Sequence, residues 1–131
     1  MTSFADQVRH MCQRPGMYFA TPSFECLCAY MDGFDRARDG GPLCGFREWL
    51  VVRADGGDNL VWPSLIKRHL RMSMPVADND NALFEEFANE FERFWREREK
   101  DGLVKIFHDY GKWLLRKRWY AGPLRQKREV Q

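Results

Sequence analysis

The sequence predicts an all-α fold, a single-domain bundle of about five helices. Three observations carry this expectation. Apolar residues recur at 3–4 spacing in successive stretches, Pro/Gly clusters separate those stretches, and residues 82–99 hold an unbroken helical stripe. A length of 131 residues fits one domain large enough to bury a core, and 44% hydrophobic with 15% aromatic residues is too rich for intrinsic disorder. The helical domain is expected over 1–120, with a basic C-terminal tail over 121–131.

Taken in order, Thr2 or Ser3 can cap a first helix that runs to about Gln13, with Phe4, Val8 and Met11 on one face. Pro15-Gly16 stops it, and Met17-Tyr18-Phe19 reads as a short extended connector. Thr21-Pro22, a hydroxyl followed by Pro at the first helical position, predicts the start of a second helix to about Arg38. Its apolar face is Phe24, Leu27, Cys28, Met31 and Phe34, and Asp39-Gly40-Gly41-Pro42 ends it. The stretch 46–62 reads two ways. Phe46, Trp49, Leu50 and Arg53 fit a helix face, and a further helix entered near Asn59 would carry Leu65, His69 and Met72. A short β-hairpin around 47–62, turning at ADGGDN, is the alternative.

Residues 82–99 give the clearest helix. Leu83, Phe84, Phe87, Ala88, Phe91, Phe94 and Trp95 cover an arc of about 140°. Glu85, Glu92 and Glu99 flank that arc on one side and Glu86, Glu90 and Glu97 on the other; Glu92–Arg96 and Arg93–Glu97 are spaced as i,i+4 surface pairs. Asp101-Gly102 breaks the chain. The final helix, about 103–118, is apolar over more than half its circumference and is expected to sit centrally in the bundle, with Lys105, Asp109, Lys112 and Arg116 as its polar strip.

The net charge of +2 conceals an uneven distribution. Residues 78–101 hold nine acidic against four basic residues, whereas 112–128 hold seven basic residues and no acid. An acidic helix beside a basic end suits a binder of a charged protein better than a general polyanion binder. The four cysteines lack metal-ligand spacing, since Cys26 and Cys28 on one helix point about 200° apart, and they are expected to be reduced. No apolar run approaches a membrane span, and the N-terminus lacks a signal-peptide core, so a cytoplasmic location is expected.

Two likenesses bear on function. Arg14 to Tyr18, RPGMY, resembles the signature preceding the nucleotide-binding helix of gyrase-B-type GHKL ATPases. The likeness is local: the position of the family's water-activating Glu falls on Cys28, that of its magnesium-holding Asn falls on Asp32, and Asp55-Gly56-Gly57 poorly imitates the adenine-binding motif. RPGMY is therefore expected to be a structural turn. More broadly, RPGMY, the helix ending in Asp32-Gly33-Phe34, GFREWLVVR and NLVWP are similar to a group of small bacterial proteins, and helical proteins of this size and charge include immunity proteins that neutralise toxins.

That resemblance implies a protein-binding module with a cognate toxin as partner. The charge pattern suggests Glu85, Glu92, Glu99, Lys105, Lys112 and Arg116 as binding residues, with Trp62, Trp119 or Tyr120 as anchors if exposed. The alternative is a nucleic-acid-associated domain, in which Lys112, Arg116, Lys117 and Arg118 interleave with Trp119 and Tyr120. No nucleophile motif and no Glu-x-x-His pair is present, so neither enzymatic activity nor a metal or other cofactor is expected.

Overall fold

A computed structural model of the chain describes residues 3–73 and 79–117. It contains five α-helices: α1 (Phe4–Gln13), α2 (Phe24–Ala37), α3 (Phe46–Ala54), α4 (Trp62–Ser73) and α5 (Asp80–Arg116), with a 3-10 turn at Pro15–Met17. Among the described residues there is no strand, so 46–62 is helix, loop and helix rather than hairpin. The expected tail, 121–131, lies outside the described residues, as do Trp119 and Tyr120.

Helices α1, α2 and α5 begin where a side chain, Ser3, Ser23 or Asn79, accepts from a free N–H of the first turn. Ser3 forms a capping box with Asp6, its Oγ accepting from the Asp6 N–H at 3.1 Å while Asp6 accepts from the Ser3 N–H. The second helix starts later than Thr21-Pro22 predicts. Ser23 is the cap, accepting from the Cys26 N–H at 3.1 Å, and the Phe24 N–H donates to Asp80 at 2.9 Å. Two hydroxyls compete for the same role, and docking onto the start of α5 selects the second. The expected extended connector is also corrected: Met17 and Tyr18 donate back to Arg14 and Pro15, so RPGMY winds into a single 3-10 turn.

The long helix α5 is the spine, and each of the other four helices packs against it. Phe87, Phe91 and Phe94, each fully buried, line its inner side. Phe46, the first residue of α3, enters among them, with ring centroids 5.9, 5.4 and 5.1 Å away, and it also meets Trp62 at 5.8 Å. Burying Trp62 removes it from the set of exposed anchors; its indole N–H donates to Asp32 at 2.9 Å. On the opposite side Phe4 stacks on Phe34 and tilts onto Trp95, closing α1 and α2 over the stripe.

Gly102 bends α5. Its φ of 84° and ψ of 165° lie in a region open essentially to glycine alone, so the helix divides into a first arm, 80–101, and a second, 103–116. The second arm departs from the sequence expectation. It is peripheral, not central, because the four preceding helices leave one side of it uncovered. Ile106 and Trp113 are buried, while Val104 is 85% exposed, Phe107 43% and Leu115 40%. Asp55, at the end of α3, ties the arm down: it accepts from the Trp113 indole at 2.7 Å and from the Lys117 ammonium at 2.6 Å. Glycine at 45 is needed for the same packing, since its φ is 87° and a Cβ there would meet Leu103 at 3.0 Å.

All four cysteines are free. Burial raises the Cys12 and Cys28 thiols to about 12, which keeps them protonated and unreactive at neutral pH.

Truncating Phe46→Ala should lower the unfolding free energy in urea by about 3–5 kcal/mol, because the hole opens among rigid rings that cannot close it. Acid should release the second arm. Lys117 and the Trp113 indole hold the Asp55 carboxyl below its ordinary 3.8, so its contribution is complete above that value and lost as pH falls through the lower folded one. Amide exchange should show 103–116 opening earlier on acidification than the first arm, and Asp55→Asn should abolish that difference.

Candidate functional site

A cleft of about 810 Å³ runs along the outer side of the first arm of α5. Arg9 of α1 borders it on one side; Arg53 and Ala54 of α3 and His69, Met72 and Ser73 of α4 border the other. Its lining is charged, with Glu86, Glu90 and Glu92 set among Arg9, Arg53, Arg93 and Arg96.

On the α1 side, Glu92 is committed. The Arg9 Nε–H donates to it at 2.7 Å, and Arg96, one turn further along α5, meets its other oxygen. Glu92 thus clamps α1 to α5, which removes it from the set of free binding carboxylates. The i,i+4 pair Glu92–Arg96 forms as its spacing predicts. Glu97 instead accepts the indole N–H of Trp49, in place of the expected partner Arg93.

Across the cleft the chemistry is more concentrated. Glu90 is 5% exposed and accepts from the Nε–H of Arg53, whose guanidinium also lies over the Trp49 ring at 5.6 Å. His69, 9% exposed, places Nε2 3.3 Å from the Leu50 carbonyl oxygen and Nδ1 4.0 Å from Glu90. Glu86 stands one turn before Glu90 on the same face. Burial, and next the charge of Glu90, raises the Glu86 carboxyl above its ordinary value; burial lowers His69 and outweighs the opposing pull of Glu90. The ligand atoms of His69, Glu86 and Glu90 all fall within 4.8 Å of one another.

The residues singled out in the sequence do not form one site. Glu85 and Glu99 are exposed on the first arm, whereas Lys105, Lys112 and Arg116 are exposed on the second. Lys105 is paired with Asp109 at 2.9 Å. Missing from the sequence reading is the grouping of His69 with the other glutamate flank. The period of α5 puts Glu86 and Glu90 on one line, but no local signal tells which helix will face that line.

The chain matches no protein-family model, no curated protein and no solved structure.

The Arg53–Glu90 pair should respond asymmetrically to substitution. Arg53→Ala leaves a buried carboxylate without its partner and should cost up to about 3 kcal/mol. Glu90→Gln leaves a half-exposed guanidinium that water can solvate and should cost clearly less. Chemical denaturation of the two variants side by side checks the order.

Proposed function

We propose that this chain is a protein-binding module that binds and neutralises a cognate bacterial toxin, and that the outer face of the second arm of α5 makes the contact. One observation carries the reading. Val104 and Leu115 stand roughly 160–200° around the helix from the buried Ile106 and Trp113, and Phe107, about 60–80° to one side of them, widens this into an exposed apolar strip. Nothing among the described residues covers it, although apolar surface of this kind, rimmed by charge, is what interfaces use.

Lys105, Lys112 and Arg116 lie along one edge of that strip. The complementary surface is therefore an apolar patch bordered by carboxylates. The basic edge would steer the encounter, and Phe107 would provide a rigid anchor. The acidic residues named with them contribute less, because Glu92 is bound to Arg9 and Arg96 within the fold. Nucleic-acid binding is the second reading: Asp109 and Asp55 pair with Lys105 and Lys117 among the described residues, and most of the basic charge it would use lies from residue 118 onward, outside them.

The test is growth rescue on co-expression with the toxin encoded by the adjacent upstream reading frame, together with capture of the purified complex. Wild-type chain should restore growth. Val104→Asp with Leu115→Asp should abolish rescue while the far-ultraviolet spectrum and melting temperature stay unchanged. Lys112→Glu with Arg116→Glu should weaken the complex at least tenfold, and Glu85→Lys with Glu99→Lys should leave it intact. Rescue that survives the apolar pair rejects this surface, and a wild-type chain that neither rescues nor binds rejects the function.

A further inference from the structure

The buried half of the cleft brings an imidazole and two carboxylates together. Among the described residues, Glu86 has no ion-pair partner within contact distance, and Arg53 supplies the one guanidinium in direct contact with Glu90. His69 does not make up the difference. A carbonyl oxygen only accepts, so the 3.3 Å contact with Leu50 fixes the ring proton on Nε2 and leaves Nδ1 as a bare lone pair. That lone pair makes no hydrogen bond, and it faces a carboxylate oxygen across 4.0 Å. Three acceptors thus converge, two of them on residues more than nine-tenths buried. One imidazole nitrogen and two carboxylates in reach of one another make a donor set that a cation can take up.

We propose that His69, Glu86 and Glu90 form a three-ligand site for a divalent transition-metal ion of the zinc class, open to the cleft on its remaining side. One imidazole nitrogen with two carboxylates suits Zn²⁺ or Co²⁺ better than Ca²⁺ or Mg²⁺, which prefer all-oxygen shells. The spacing is compatible: ligand atoms about 2 Å from an ion stand roughly 3.4 Å apart in a tetrahedron, and small side-chain rotations within a 4.8 Å cluster reach that distance. The supporting contacts are those that metal sites require. The Leu50 carbonyl orients the imidazole by accepting its distal N–H, and Arg53 donates to Glu90 Oε2, the oxygen that stands 4.0 Å from Nδ1, so it serves as the outer-shell partner that steadies this carboxylate. The cleft provides the path by which an ion and its water enter.

This site is independent of the proposed toxin-binding face, which lies on the other arm of α5. The experiment is titration of the metal-free chain with Co²⁺ and then Zn²⁺, followed by visible absorption and melting temperature. One Co²⁺ per chain should bind with weak visible bands and no thiolate charge-transfer band, Zn²⁺ should displace it, and melting should shift upward. Glu86→Gln, half-buried and isosteric, should weaken binding at least about tenfold, the loss that even an outer-shell partner produces; Glu90→Gln should do the same if it folds. Absence of saturable binding overturns the proposal. So does binding that survives Glu86→Gln, or binding that carries a thiolate band and disappears when the cysteines are alkylated.

Discussion

The insertion of Phe46 into the phenylalanine ladder of α5 is the contact on which the rest of the molecule depends. Phe46 follows a left-handed glycine and opens α3, so its position fixes where α3 begins and which way it runs along the spine. From there the other placements follow. Trp62 closes over the same ring, bringing the start of α4 alongside, and the course of α4 carries His69 to the flank of α5 that holds Glu90. The end of α3 delivers Arg53 to Glu90 and Asp55 to the second arm. A hydrophobic contact with no chemistry of its own thereby positions each charged group of interest.

Much of this was legible in the sequence, for reasons that differ by element. The first helix, the stripe of 82–99 and the break at Gly102 were readable because cap, period and glycine act within a few residues of one another. The start of α2 was misplaced because Thr21 and Ser23 are both competent caps, and the choice between them is made by Asp80, 56 residues away. The second arm was misjudged for a different reason. Apolar content tells how much of a helix could be buried, but burial also requires neighbours, and no helix among the described residues covers Val104, Phe107 and Leu115.

The cleft shows the same limit in chemical terms. Metal-ligand motifs are legible when two ligands share a helix, and here the pair Glu86 and Glu90 lacks the histidine that would have marked it. That histidine comes from α4, and only packing reveals it. Conversely, the residues that stood out as a charged strip lost part of their freedom on folding: Glu92 became a clamp between α1 and α5, and Trp62 became core.

The bend at Gly102 has a consequence for how such a protein can change over generations. It separates the residues that make the fold possible from those facing outward on the second arm, so the two sets share few contacts. Substitutions along Val104, Phe107, Lys112 and Leu115 touch little that holds the first arm together. A lineage can therefore rewrite that face repeatedly while the aromatic interior stays the same.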